Sequence, residues 1–329
     1  MEIVTCYFNT SIMMLFNTSS FQPLLLSGFS GLENYHPQIS IFFCVLYLIS
    51  IMGNSTILVA IWVEQSLHEP MYLFLSLLAV SDLGLCATTL LTVLKIFWFN
   101  TREIHFDACL AQMYFIHIFS MMESGILLSM AFDRYVAISD PLRYTAILNS
   151  ATVVKISIGF VLRAVIVLIP APVFIKQLKF CEANVLSHSY CLHPDIIKLS
   201  CSDHCINSFL GLIVIIITFG LDSVVILLSY VKILMTVLGI ASQKERLKAL
   251  NTCASHICAV LILYVPMIGL SLVHRYAKHS SPICHITMAN IYLLVPPVLN
   301  PIIYSIKTKQ IRQGFLKILL PKRVGLTHP

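Results

Sequence analysis

The sequence is short of charge, and this scarcity decides its class. Only 11% of its 329 residues are Asp, Glu, Lys or Arg, whereas 58% are hydrophobic and the mean hydropathy is +0.87. A soluble domain needs roughly a quarter of its residues charged to cover its surface. The composition therefore excludes a soluble protein and predicts an integral membrane protein, whose apolar side chains are covered by lipid.

The first lysine or arginine of the sequence is Lys95, so the first 94 positions contain neither residue. A cleavable signal peptide begins with a basic region, so we expect the first apolar run to be an uncleaved signal anchor. The alternating strands of a membrane barrel are also absent, and the spans are therefore helices.

Seven apolar runs are long enough to cross a hydrocarbon layer roughly 30 Å thick, which takes about 20 helical residues. They cover residues 39–62, 71–97, 109–138, 153–175, 206–237, 249–274 and 284–305. The predicted fold class is an all-α membrane protein, a seven-transmembrane helix bundle with a short amphipathic C-terminal helix. Its predicted parts are an N-terminal segment (1–38), the bundle (39–305), and a cytoplasmic helix and tail (306–329).

Basic residues concentrate in two segments of the sequence. Lys244, Arg246 and Lys248 lie between the fifth and sixth runs, and six more basic residues follow the seventh. Because such residues favour the cytoplasmic side, we expect the C-terminus inside the cell and the N-terminus outside, in the plasma membrane. Two glycosylation sequons, at Asn9 and Asn17, fit an extracellular N-terminus.

Cys109, at the outer end of the third run, and four cysteines of the long outer loop fall on the expected outer side, and in an oxidising space pairing is the default. We expect disulfides Cys109–Cys191 and Cys181–Cys201, which leaves Cys205 unpaired. The alternative is a metal site with the neighbouring histidines, although disulfide formation would remove the thiolates that zinc prefers.

Four charged residues lie deep within the spans, away from their ends, where charge is costly and usually functional or paired. Asp82 and Glu123, in the second and third spans, would repel each other unless they share a proton or a cation. Oxygen ligands, with Ser124 added, would suit Na⁺; the alternative is two protonated, hydrogen-bonded acids. Arg163 and Asp222 are expected to form a structural bridge, either with each other or through Glu123.

Four motifs narrow the class of protein further. They read PMYLFLSLLAVSDL (70–83), MAFDRYVAISDPLRY (130–144), KALNTCASH (248–256) and PPVLNPIIYSIKTKQIR (296–312). With the seven spans, they resemble rhodopsin-like G protein-coupled receptors and, more narrowly, olfactory receptors of the class I, fish-like branch, family 51 group. The resemblance covers almost the whole chain from about residue 24. It departs from the family at Ser139-Asp140, where Cys-His is usual, and at Leu250, where Phe is usual.

The resemblance implies a conformational switch at the inner face. Arg134, in the Asp133-Arg134-Tyr135 motif, is expected to contact Asp133 at rest and to be freed when the sixth span moves outward. The remaining switch residues that the resemblance implies are Tyr230, Asn300, Pro301 and Tyr304. The implied partner is a heterotrimeric G protein of the olfactory stimulatory type, which raises cyclic AMP. An Asp–Arg pair that only anchors the helix end at the membrane interface is the alternative.

A ligand site is expected between the outer halves of the third, fifth, sixth and seventh spans. His117 and Ser120 share a face of the third span, in register with Met113 and Ser124. Ser271 and Arg275 share a face of the sixth span, where they could hold a carboxylate through parallel hydrogen bonds, and His193 could close the site. The apolar residues expected to line it are Ile118, Met267, Ile268 and Leu272.

These residues predict a small organic odorant, with a short- or medium-chain carboxylic acid as the ligand class. In the alternative, Arg275 only reaches towards water or pairs with a loop acid such as Asp195. The same receptor could also serve outside the nose as a metabolite sensor.

Other classes lack their required residues. Residues 284–304 contain no lysine for a retinal Schiff base, and the two halves show no repeat of the kind found in transporters. No recognisable set of a nucleophile and an activating base in the sequence suggests a hydrolytic enzyme. We expect no nucleic-acid partner and no cofactor beyond the possible structural Na⁺.

Overall fold

The computed structural model of the chain describes residues 23–29, 35–180, 184–276, 282–307 and 311–312. Seven helical segments in these ranges are long and apolar enough to cross a membrane, which confirms the predicted count. Five spans include the continuous helices α1 (His36–Val63), α2 (Pro70–Phe99), α3 (Phe106–Ser139), α10 (Gln243–Tyr276) and α11 (Pro282–Lys307). The fourth span joins α5 (Ser150–Leu168) to α6 (Pro170–Lys176), and the fifth joins α8 (Cys205–Ile215) to α9 (Leu221–Leu238). Two short helices, α4 (Tyr144–Ile147) and α7 (His193–Lys198), lie between spans.

The helix boundaries follow local sequence. Asn149 caps α5, because its side chain accepts the backbone N–H of Thr152 at 2.9 Å. Asn100 ends α2 in the left-handed region at φ 49°, which Asn adopts more readily than most residues. A π-helical turn, Ile216–Gly220, interrupts the fifth span, and such turns often mark functional sites.

Proline interrupts the last two spans. Pro266 lies inside α10, and Pro296, Pro297 and Pro301 lie inside α11. Each removes a backbone donor and bends its helix. Ser50 and Asn54 of α1 donate hydrogen bonds to the Pro297 carbonyl, both at 2.9 Å, so α1 satisfies an acceptor within the proline-rich part of α11.

Helix α3 runs through the centre of the bundle. Of its most apolar 18 residues, 67% are buried, against 17% in the fourth span. It contacts α2, α5, α9 and α10. Polar side chains on α3 therefore lie in the protein interior, whereas the fourth span mainly faces the surroundings of the bundle.

A small sheet covers one end of the bundle, and the sequence did not predict it. Strand β1 (Leu24–Leu26) lies between β2 (Glu103–Ile104) and β3 (Val185–Leu186), antiparallel to the first and parallel to the second. We call this the sheet end, and the end that carries Asp133 and Arg134 the switch end. The predicted amphipathic helix in 306–329 falls largely outside the described residues, as do the sequons at Asn9 and Asn17.

Candidate functional site

A disulfide fixes the loop between the fourth and fifth spans to the sheet end of α3. Cys109 and Cys191 are bonded, with their Cα atoms 5.4 Å apart, as predicted. Cys201 and Cys205 each take part in a disulfide, so the expectation that Cys205 is unpaired was wrong. Cys181 lies outside the described residues, and the predicted Cys181–Cys201 pairing stays a prediction.

The same loop buries several polar side chains. His188 Nδ1 contacts Asp195 Oδ2, and both side chains are almost fully buried. Tyr190 is buried beside them, and this burial raises the pKa of its hydroxyl well above the ordinary value. Tyr190 therefore stays neutral. The loop is a packed lid with its own polar interior.

The predicted ligand residues lie on different elements around the sheet half of the bundle. Ser120 is buried on α3 and faces the Tyr292 hydroxyl of α11, while His117 is half-buried one turn earlier. His193 is buried at the start of α7 and packs against α8, since a Cβ added to Gly211 would lie 3.1 Å from its ring. Ser271 is half-buried on α10. Within the described part of the chain, no hydrogen bond joins these four side chains to one another.

The apolar part of the predicted site needs correction. Ile118 and Met267 are buried, as expected. Ile268 and Leu272 are 48% and 51% exposed, whereas Met267 is buried, because adjacent helix positions point about 100° apart. They point away from the interior and do not line a site within the bundle. Arg275 lies in the last turn of α10, and its side chain is outside the described residues.

Two carboxyl groups meet in the middle of the bundle. Asp82 and Glu123 are fully buried and lie close enough to interact, so the two carboxylates would repel each other without a shared proton or a bridging cation. Asn300 donates its amide to both Asp82 oxygens, at 3.3 and 3.2 Å. The structure thus brings Asn300 of the seventh span to the acid pair.

Ser124 does not join this pair. Its hydroxyl donates to Asp222 at 2.6 Å and contacts the Tyr264 hydroxyl at 2.8 Å. No group of three or more His, Cys, Asp or Glu suited to a metal ion occurs among the described residues. The structure thus brings Asp82 and Glu123 together but gives Ser124 other partners, and the sodium site stays a prediction.

A second polar network links four spans through Asp222 of α9. Arg163 of α5 donates to both Asp222 oxygens, at 2.8 and 2.7 Å. Of the two predicted alternatives, the structure therefore has the direct Arg163–Asp222 pair and not the pairing with Glu123. Ser124 of α3 and Tyr264 of α10 extend the network to the third and sixth spans through their hydroxyl groups. The centre of the Phe160 ring lies 4.9 Å from the Arg163 guanidinium carbon. A shift of α10 would therefore disturb hydrogen bonds on three other spans.

The switch end holds Arg134 in place. Its Nε donates to Asp133 at 2.9 Å, and the Tyr144 hydroxyl donates to the other Asp133 oxygen at 2.7 Å. Burial, with Asp133 nearby, raises the pKa of Tyr144, so its hydroxyl keeps the proton that it donates. The carboxylate at this position is thus held from two sides.

The other switch residues surround this pair. Tyr135 packs beside the α9–α10 cluster of Ile233, Val237 and Cys253. Tyr230 stacks on His256 of α10, with ring centroids 5.7 Å apart. Tyr304 is buried near Met130, and Pro301 packs against Gly53, where an added Cβ would lie at 2.9 Å.

Sequence reasoning missed three participants. Tyr264, Tyr144 and His256 lie in or beside apolar segments, and their partners are 140, 11 and 26 positions away in the sequence. Tyr144 and His256 are the last residues of two quoted motifs, so their place in those motifs was the available signal. Tyr264 offered no such signal, because one tyrosine in an apolar run predicts only burial.

The comparisons agree with this architecture. A family model described as olfactory receptor matches residues 43–322. Human olfactory receptor 51L1 is 55% identical over 309 residues, covering 93% of this chain and 98% of its own, and human olfactory receptor 51G2 is 57% identical over 288 residues, covering 88% and 92%. Squid rhodopsin, a solved structure, has a TM-score of 0.70 at 18% identity, covering 88% of this chain and 86% of its own, which shows the fold. The chain therefore belongs to the olfactory receptor family, as a multi-pass plasma-membrane G protein-coupled receptor of the family 51 group and not an enzyme.

Proposed function

We propose that this odorant receptor binds a short- or medium-chain carboxylic acid at the sheet end of the bundle and activates a stimulatory G protein of the olfactory type, raising cyclic AMP. The observation that carries the ligand class is the unbroken course of α10 through Gln243–Tyr276. Arg275 lies one turn beyond Ser271 on this helix, so a basic residue and a hydroxyl residue follow each other at helical spacing. This spacing supports a ligand that accepts hydrogen bonds from both groups, such as a carboxylate.

The sheet end is proposed to face the outside of the cell. The Cys109–Cys191 disulfide lies there, and disulfides persist in oxidising spaces. Lys244 lies exposed where α10 begins, at the switch end, and basic residues favour the cytoplasmic side. Both observations support an extracellular N-terminus and an intracellular surface for the G protein.

A carboxylate suits the proposed site for electrostatic reasons. A guanidinium and a carboxylate form two parallel charge-assisted hydrogen bonds, which gain strength in dry surroundings. The buried lid residue His193 adds a third polar group on the loop side. The ligand chain would extend towards Met267 and Ile118, which offer buried apolar surface.

The signal is proposed to travel along α10. Tyr264 lies two turns from Ser271 on that helix and contacts Ser124 in the Asp222 network. Movement of α10 would strain this network and separate His256 from Tyr230, its ring partner on α9. Arg134 would then leave Asp133 and Tyr144 to meet the G protein.

Substitution of Arg275 tests the proposal. Arg275→Ala should abolish the cyclic AMP response to straight-chain acids of three to nine carbons, while Arg275→Lys keeps the charge and part of the response. Lys176→Ala is the matched control, because it removes a cation from an exposed pair with Asp107 at the same end. Full sensitivity of Arg275→Ala, at equal surface expression, would overturn the acid site.

A further inference from the structure

Gln112 of α3 joins the lid to two helices through one buried amide. Its Nε2 donates to the Thr88 carbonyl at 2.9 Å and to Thr92 Oγ1 at 2.7 Å, both on α2. Its Oε1 accepts the backbone N–H of Cys191 at 2.9 Å. The side chain is 8% exposed, so both hydrogens and the oxygen of the amide are used inside the protein.

Only an amide can fill this position. The α2 side presents two acceptors and the loop presents one donor, and an amide carries two N–H donors and one acceptor oxygen. A carboxylate would lack the donors, and an apolar side chain would leave the Cys191 N–H without its acceptor. A buried N–H without an acceptor is costly. The amide at position 112 is therefore needed to hold the lid in its observed position.

The bond to Cys191 acts two residues before His193. The disulfide to Cys109 fixes the distance of Cys191 from α3, but rotation about its single bonds leaves the backbone direction open. Gln112 fixes that direction through the peptide N–H. Leu192, the next residue, is the N-cap of α7. Its carbonyl accepts the N–H groups of Asp195 and Ile196, both at 3.1 Å, so the backbone direction set at Cys191 is continued into the first turn of α7.

We infer that Gln112 is a positioning residue for ligand binding, which orients the Cys191–His193 segment so that His193 meets the ligand. This inference rests on the proposed function, in which His193 contacts the acid. Gln112 itself touches no ligand. Its effect on potency passes through His193, whereas a residue needed only for folding would act independently of that side chain.

A double-mutant cycle separates these roles. Gln112→Met keeps the side-chain length but removes every hydrogen bond. With a straight-chain carboxylic acid as the probe, it should raise the half-maximal concentration by roughly three- to tenfold, the range of one or two neutral hydrogen bonds, without lowering the maximal response. In a His193→Ala background, the same substitution should cause no further loss.

Thr92 supplies a milder pair of variants if Gln112→Met reaches the surface poorly. Thr92→Val removes one of the two α2 acceptors, and Thr92→Ser keeps the hydroxyl as the matched control. Thr92→Val should weaken potency in the native background only, and Thr92→Ser should leave potency unchanged. The same cycle with His193→Ala then applies.

Two outcomes would overturn the inference, and they are distinguishable. If His193→Ala lowers potency and Gln112→Met lowers it further by its full factor, Gln112 does not act through His193, although the proposed site stands. If His193→Ala leaves acid potency unchanged, His193 is not a ligand contact, and both the inference and that part of the proposed function fail.

Discussion

At the scale of single residues, the buried charges of the described interior come in partnered groups. Arg163 lies against Asp222, Arg134 against Asp133, and Asp82 against Glu123 with Asn300 beside it. A buried charge that lost its partner would cost several kcal/mol. These groups therefore hold the spans in one arrangement and make each site sensitive to small changes.

The sequence predicted which of these residues matter but not all of their partners. Asp133 and Arg134 are neighbours, so their contact could be read directly. Arg163 and Asp222 are 59 positions apart, and sequence left Glu123 as an equal candidate. The choice depends on how the fourth and fifth spans face α3, which no local pattern determines.

Arg163 gives a residue-scale prediction. Arg163→Met leaves Asp222 buried without its cation and should destabilise the receptor by about 3 kcal/mol or more, measured as a lower thermal midpoint of the purified protein. Lys155→Met is the matched control, since it removes a cation from an exposed position of the same helix. Equal midpoints for the two variants would contradict the role of the pair.

At the scale of elements, the three-stranded sheet joins segments that are far apart in the sequence. Its strands are two or three residues long, too short for the alternation that predicts strands. Leu24 and Leu26 are buried in a cluster with Phe106, Cys109 and Cys191. The sheet therefore binds the N-terminal segment to the lid, and only the folded chain reveals it.

Leu25 tests whether this sheet stabilises the lid. Its N–H donates to the Asn184 carbonyl at 2.8 Å, and Leu25→Pro removes that donor from the central strand. Backbone amides of β2 and β3 should then exchange with deuterium faster than in the native receptor. Leu25→Thr keeps the N–H and a strand-favouring side chain, and should exchange normally; equal exchange in both variants would contradict a stabilising sheet.

The packing of α3 against the fourth span gives a second prediction at this scale. A Cβ at Gly125 would lie 2.5 Å from Phe160, the ring below Arg163, whereas a Cβ at Gly159 meets nothing within 4 Å. Gly125→Ala should destabilise the receptor by about 1 to 3 kcal/mol through overpacking. Gly159→Ala should stabilise it by roughly 0.5 to 1 kcal/mol through helix propensity. Thermal midpoints that shift in the same direction would refute this reading of the interface.

At the scale of the whole molecule, composition and hydrophobic runs were sufficient for the fold. The seven predicted spans lie within the observed helices, which extend beyond them by one to six residues at each end. The longest extension, 243–248 at the start of α10, is rich in charged residues, so a hydropathy argument stops short of it. Which face of each span turns inward was harder to predict, as the exposed Ile268 and Leu272 show.

The same bundle connects its two ends through polar groups on α3 and α10. Ser120 faces the sheet half, Ser124 joins the Asp222 network, and Asp133 and Arg134 close the switch end, all on α3. On α10, Tyr264 contacts Ser124 in the Asp222 network, and His256, nearer the switch end, stacks on Tyr230. A ligand that displaces α10 therefore has a physical route to Arg134.

The most direct test compares acids with uncharged molecules of the same length. A cyclic AMP reporter assay on the surface-expressed receptor would use straight-chain acids of three to nine carbons and the matching methyl esters, alcohols and aldehydes. The account predicts activation by acids, with the neutral compounds at least roughly tenfold weaker because they lose a charge-assisted hydrogen bond. Activation by the neutral compounds while the acids stay silent would contradict it.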